Sequence, residues 1–230
     1  MDAGDFFWPQ KLGELSAEVT AQALEMMQYD VLNVADGELA FGTGFEDRYA
    51  SGLKDKLTSA NILKDQKRLW RPYVSKTVHG VKIAVVGVVA PRLISKMKVR
   101  EDAIEIQDPE TALKNLVPAL REEADIVILL SHAGWKRSVQ LAERIDGIDF
   151  MIVGHDYYPT FDPETVRHTA LVKSSVGGKH LGEIRVWLDE GRRIKRYETS
   201  LRELSSAIET YPEYTRPEAE FEKRRLLQVR

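Results

Sequence analysis

Cysteine is absent from the 230-residue chain, which excludes disulfides, thiolate metal sites and a cysteine nucleophile. The redox compartment stays open, because a cysteine-free protein suits either environment. Long apolar runs are missing as well. The longest clean one, Ile83–Val89, is strand-sized and far short of the ~18 residues that read as a membrane span. There is no excess of basic charge: 33 Lys and Arg against 36 Asp and Glu leave a net charge of −3. No overall field draws the chain to nucleic acid or to an anionic membrane, so neither partner is predicted. The opening residues lack the basic segment and apolar core of a signal peptide, and there is no internal repeat or low-complexity tract. What is present is ordinary for a globular protein: 43% hydrophobic and 30% charged residues, enough for one sizeable core.

Hydrophobic periodicity predicts helices and strands in alternation early, with strands clustering late. Ser16 is a good N-cap for a helix reaching Gln28, with Val19, Ala23, Leu24 and Met27 recurring at helical spacing. Val31–Val34 reads as a short strand, 35–44 as a glycine-bearing loop and 45–56 as a second helix. Strand structure restarts at 60–63, with a turn over 64–67; Tyr73–Val78, the His79-Gly80 turn and Val81–Val89 then form a predicted hairpin. Segment 101–107 is ambiguous between helix and strand. Asp108-Pro109 marks a helix start, Ala112, Leu113, Leu116, Val117 and Leu120 form its buried stripe, and Pro118 is a candidate kink. Further strands are predicted at 126–130, 150–153, 170–174, 182–188 and 191–200, with a helix over 138–144. From Pro217 the chain reads as a charged helix outside the core, where Lys223-Arg224-Arg225 is balanced by Glu218, Glu220 and Glu222. The pattern implies an α/β domain with a mixed sheet or two packed sheets.

Several of these runs end at an acid or an imidazole. Val31–Val34 leads to Asp36, 126–130 to His132 and 150–153 to His155, while Met1-Asp2-Ala3-Gly4-Asp5 reads as the tail of another such run. Parallel strands share one carboxyl edge, and ligands bind in the crevice there. Two carboxylates and two imidazoles gathered at that edge suit Zn, Mn or Fe. A single His after a strand is more often packed or hydrogen-bonded than a ligand; the ordered set reverses that preference. The remaining histidines read as structural or solvated: His79 in a turn, His168 in a polar loop, His180 near Gly177-Gly178. Asp2 is expected to hydrogen-bond locally. Trp8 and Trp135 either wall a pocket or simply pack. The Gly177-Gly178 pair reads as a turn, since no Lys-Ser/Thr signature comes after it.

Gly4-Asp5, Ala35-Asp36-Gly37-Glu38, Ser131-His132 and Gly154-His155-Asp156-Tyr157, in that order, resemble the motifs of calcineurin-like metallophosphoesterases. Gly80-Val81-Lys82-Ile83, Ala124-Asp125-Ile126-Val127 and Gly178-Lys179-His180-Leu181-Gly182 extend the likeness toward the 5′-nucleotidase branch, over roughly residues 2–190. The resemblance implies an αββα sandwich of two packed mixed sheets, without its first strands, over residues 1–205, with a charged tail over 206–230. It implies a metal site of Asp5, Asp36, His132 and His155, with Asp36 at a position usually held by Asn. Glu38 would orient the site loop. One divalent ion (Mn, Zn or Fe) is expected, or two if an upstream segment exists, and a small phosphoester is the implied substrate.

The sequence also departs from that family. No Asp-x-His motif precedes Asp5, Tyr157 stands where the pattern has a last His, and Gly37 stands where a His assists phosphoryl transfer. No catalytic residue is therefore assigned. Tyr157 is retained beside Glu38 as a candidate supporting or substrate-contacting residue. Three readings stay open: a 5′-nucleotidase-type hydrolase with reduced activity, an inactive metal-binding or interaction module, or a hydrolase of another ester such as a sulfur ester. The abrupt start favours a piece of a longer chain over a complete cytosolic protein; relatives of this kind are often periplasmic or extracellular. An open sheet edge would then invite a pairing strand or a second copy.

Overall fold

The structure, a computed structural model, describes residues 1–8, 13–94, 104–209 and 211–228. Its organising element is the strand Ile126–His132, in which every residue is buried. Such a run, apolar on both faces, belongs in the middle of a covered parallel sheet. The six-stranded sheet is ordered Glu164–Val166, Thr169–Val172, Phe150–Val153, Ile126–His132, Val81–Val89, Tyr73–Val78. Its four inner strands are parallel and each outer strand is antiparallel to its neighbour. The carboxyl ends of the inner strands therefore open on one edge.

Alternation along those strands divides the core. Val127, Leu129, Met151, Val153 and Leu171 face the helices Pro109–Glu123 and Trp135–Arg144, meeting Leu113, Val117, Leu120 and Leu141. Ile126, Ile128, Leu130, Phe150 and Ala170 face the opposite way, against Ile184, Val186, Leu188, Ile194 and Tyr197. These last belong to a long antiparallel hairpin, His180–Leu188 with Ile194–Glu203. Phe150 meets the Tyr197 ring edge-on at 5.3 Å. Several sheets flanked by helices result, as expected. A separate cluster holds the front of the chain together: Phe7 packs edge-on to Phe41 and Phe45, each at 5.7 Å, beneath the helix Gly13–Met26. Residues 1–3 join here too, Asp2 pairing in parallel with Leu32 of the two-residue strand Leu32–Asn33, which itself pairs with Leu57–Thr58.

The predicted hairpin 73–89 and the strand 150–153 form as read. Asp108 caps its helix, accepting from the Glu110 amide at 2.9 Å, and Pro118 sits inside that helix. Other boundaries move. The described part of the first helix spans Gly13–Met26, so Ser16 lies inside it, and its buried face is Leu15, Ala17, Ala21 and Leu24, with Met27 exposed. It ends where Gln28 turns left-handed (φ 53°) and the Tyr29 amide reaches back to the Leu24 carbonyl at 3.2 Å. The expected loop 35–44 contains a short helix, Asp36–Leu39, because the Glu38 carboxylate folds back onto the Ala35 amide at 2.9 Å. The expected second helix divides at Ala50 into Phe45–Tyr49 and a 3₁₀ turn Ser51–Lys56. Of the ambiguous segment, Ile104–Ile106 is a strand against Ile62–Lys64, and residues 101–103 lie outside the described set. The expected tail helix spans Thr215–Gln228, with residues 229–230 outside the described set, and touches the first helix through an Arg224–Glu18 ion pair of 2.6 Å. No described helix is long and apolar enough to cross a membrane.

Candidate metal centre

The four side chains singled out at strand ends meet. One ligand atom from each of Asp5, Asp36, His132 and His155 lies within 4.8 Å of all the others. His132 closes the central strand, and its ring is 1% exposed. His155 lies just past the neighbouring strand, and its ring packs edge-on to His132 with centroids 5.2 Å apart. Asp5 and Asp36 come from the other half of the chain, carried there by the pairing of Asp2 with Leu32.

The centre is built for donors that look inward. His132 Nδ1 lies 3.1 Å from the Ala3 carbonyl, a contact that fixes the ring and turns Nε2 toward Asp5 Oδ2 at 3.1 Å and Asp36 Oδ1 at 3.2 Å. Metal-binding imidazoles are held in this way, by a backbone carbonyl on the opposite nitrogen. Asp5 sits in the left-handed region (φ 64°), a cost of about 1–3 kcal/mol for a non-glycine residue. Glu38 offsets it. Wholly buried, its carboxylate accepts the amides of Asp5 at 3.1 Å, Phe7 at 2.9 Å and Ala35 at 2.9 Å. Gly37 then presses against the same loop: its amide donates to Asp5 Oδ1 at 2.6 Å. A Cβ at position 37 would stand 2.5 Å from the Phe7 carbonyl oxygen and 2.9 Å from Asp5 Oδ1. Gly154 is similarly confined, where a Cβ would fall 2.9 Å from His132 Nδ1.

The electrostatics arise from this crowding. Burial by itself would raise the Asp5 carboxyl, but the His132 and His155 imidazoles and the Gly37 amide prevail and hold it well below the usual carboxylate range. Burial would lower His132, yet the adjoining Asp36 and Asp5 carboxylates raise it to about 10. Burial and the nearby Asp5 charge push Glu38 up to about 8, against its three amide donors. Despite their closeness, His132 Nε2 and Asp36 Oδ1 make no aligned hydrogen bond and are buried without one. Two such atoms facing a common point, one neutralisable imidazole and one carboxylate, fit a divalent cation.

The other candidate residues take lesser places. Tyr157 is 77% exposed, on the loop after His155, and Trp8 is exposed too. Trp135 packs against the core and carries Lys173 over its ring at 4.7 Å. Asp2 takes the Gly4 amide at 2.9 Å, and His180 meets Ser175 Oγ at 2.5 Å, both local contacts. Two residues at the same sheet edge were not signalled by motif. Arg92 donates to the Ala133 carbonyl at 2.9 Å, next to His132. Lys173, just past the strand Thr169–Val172, pairs with Asp156 at 2.9 Å. Extending the strand-end rule to basic residues would have found both.

No protein-family profile matches the chain. It is similar to the 2′,3′-cyclic-nucleotide 2′-phosphodiesterase/3′-nucleotidase of Salmonella typhimurium, 25% identical over 199 residues, covering 76% of this chain and 31% of that protein. Among solved structures it superposes on the Thermus thermophilus sulfate thiohydrolase SoxB with a TM-score of 0.84 at 27% identity, covering 98% of this chain and 42% of that one. The calcineurin-like phosphoesterase YfkN of Bacillus subtilis superposes with a TM-score of 0.82 at 21% identity, over 99% of this chain and 84% of that one. The chain spans about a third or less of the curated relatives it first matches. Its curated relatives are members of the 5′-nucleotidase and cyclic-nucleotide phosphodiesterase family, and its fold is that of the calcineurin-like phosphoesterases.

Proposed function

We propose that the protein is a metal-dependent phosphoester hydrolase of the 5′-nucleotidase type, with Asp5, Asp36, His132 and His155 holding one divalent ion of Mn, Zn or Fe. Residues 1–205 would form this domain and 206–230 an appended tail. The observation that carries the reading is the convergence of four donor atoms within 4.8 Å, two of them buried and without hydrogen bonds. A bound divalent cation supplies Lewis-acid stabilisation of charge developing on an ester oxygen. The chain's own groups do the rest. Asp5 and Asp36 bring two negative charges, enough to balance such a cation. His132, anchored on the Ala3 carbonyl, offers its Nε2 once deprotonated. Glu38 keeps the Asp5 loop in its left-handed turn, and the half-exposed His155 leaves the mouth of the site open to a small substrate.

A second reading, a binding module without turnover, is favoured by the crowding at Gly37. The Asp5–Phe7 backbone fills the space that a proton-donating side chain at position 37 would need, and general acid catalysis is worth about 10²–10⁴-fold. One experiment separates the two. Purified protein is assayed for metal content, and hydrolysis is monitored with added Mn or Zn on a nucleotide, a generic phosphoester and a thiosulfonate ester, the last because of the likeness to a sulfate thiohydrolase. Turnover that is abolished by His155→Ala supports the hydrolase. One bound ion without turnover supports the module, and no ion under any condition sinks both.

A further inference from the structure

We propose that Lys173 is a positioning residue for His155, acting through Asp156, and thereby sets the affinity of the centre for a divalent cation. The inference rests on the metal-site reading above and extends it to a residue outside the ligand set. Its starting point is an asymmetry among the four side chains. His132 is locked by the Ala3 carbonyl, and Asp5 by the Gly37 amide. Among the described residues His155 has no comparable anchor: its ring is 40% exposed, and the nearest acidic oxygen there, Asp5 Oδ2, is 3.8 Å away, beyond hydrogen-bonding range. Beyond its edge-on contact with the His132 ring, the direction of the ring follows its backbone, which is left-handed (φ 56°) and runs directly into Asp156.

The Asp156 carboxylate accepts the Lys173 ammonium at 2.9 Å. Lys173 is itself fixed from three sides. Its side chain is 11% exposed, and its ammonium lies 4.7 Å above the Trp135 ring, a cation–π placement. Its backbone is bracketed by Thr160, whose amide donates to the Lys173 carbonyl at 3.0 Å and whose Oγ1 accepts the Lys173 amide at 2.9 Å. The loop 155–160 is thus closed onto the end of the strand Thr169–Val172, and Lys173 in turn rests on the first residue of the helix Trp135–Arg144. A lysine at this point ties three elements to the residue next to the least restrained ligand. Groups that orient metal ligands typically change affinity about 10–100-fold when removed.

The test titrates Mn(II) alone into metal-free wild type, Lys173→Met, Lys173→Arg and Asp156→Asn, by calorimetry, and records the unfolding midpoint of each metal-free protein. The expected result is a Kd about 10–100-fold weaker for Lys173→Met, matched by Asp156→Asn and largely rescued by Lys173→Arg. Histidine ring resonances of the metal-free proteins give a second readout: His155 should broaden or shift in Lys173→Met while His132 stays in place. An unchanged Kd in a folded Lys173→Met that binds Mn(II) overturns the proposal. So does a loss of affinity that tracks the midpoint and moves both histidines, the mark of a merely structural role. If Lys173→Met does not fold, Asp156→Asn decides by the same criteria. Failure of the wild type to bind Mn(II) overturns the metal-site reading itself, a separate result.

Discussion

Cation binding should expel a proton from His132. In the metal-free centre the imidazole is pinned between Asp5 and Asp36 and titrates at about 10, so at pH 7 it is protonated at the nitrogen that must coordinate. Removing that proton spans about three pH units, about 4 kcal/mol at about 1.36 kcal/mol per unit. The apparent Kd for Mn(II) should therefore tighten about tenfold for each pH unit between roughly 6 and 9. Calorimetry in two buffers of different ionisation enthalpy should count close to one proton released per ion. The same proton governs stability without metal. The folded pKa lies above the unfolded value of ~6.5, so its contribution is complete below that pH and fades as pH rises through about 10. Unfolding free energy of the metal-free protein should fall by up to about 1.4 kcal/mol per unit over that window. A Kd independent of pH with no proton release would refute the argument, because it would mean His132 was already neutral or not a ligand.

Two more outcomes concern single residues. Gly37→Ala places a methyl 2.5 Å from the Phe7 carbonyl oxygen, so it should cost about 1–3 kcal/mol of stability and weaken Mn(II) binding by displacing Asp5; an unaltered urea midpoint and Kd would show that the loop yields freely. Asn61 donates to the carbonyls of Val89 at 2.7 Å and Gln107 at 2.8 Å and accepts the Val89 amide at 3.0 Å. Asn61→Leu strands two buried backbone groups of Val89, at about 1–3 kcal/mol each, and the part-buried Gln107 carbonyl, so urea unfolding should show a loss of at least about 2 kcal/mol, and one below about 1 kcal/mol would contradict the assignment.

Much of the fold was legible because local chemistry and tertiary packing agree. Alternation in 73–89 and the apolar run 126–130 are visible as strands, and both enter the sheet, the second extended through His132. Asp108-Pro109 starts its helix by a local cap, the Asp108 carboxylate taking the Glu110 amide. The helix Asp36–Leu39 was hidden because a four-residue segment has almost no periodicity, and its stability comes from the Glu38 carboxylate gripping the Ala35 amide and the Asp5–Phe7 loop. The stripe of the first helix was misplaced because the small Ala17 and Ala21 meet the core where the larger Met27 was expected to.

The amino-acid order alone determined which acids and imidazoles end strands, and hence which could share an edge. It also exposed the departures at Gly37 and Tyr157. Only the folded chain decided that Asp5, Asp36, His132 and His155 meet within 4.8 Å, because their approach depends on parallel pairing between segments far apart in the chain. Only it gave Gly37 a reason, the close passage of the Phe7 carbonyl. Lys173 likewise acquires its place from three elements that sequence spacing does not relate, and side-chain contacts of that kind arise from packing and not from local pattern.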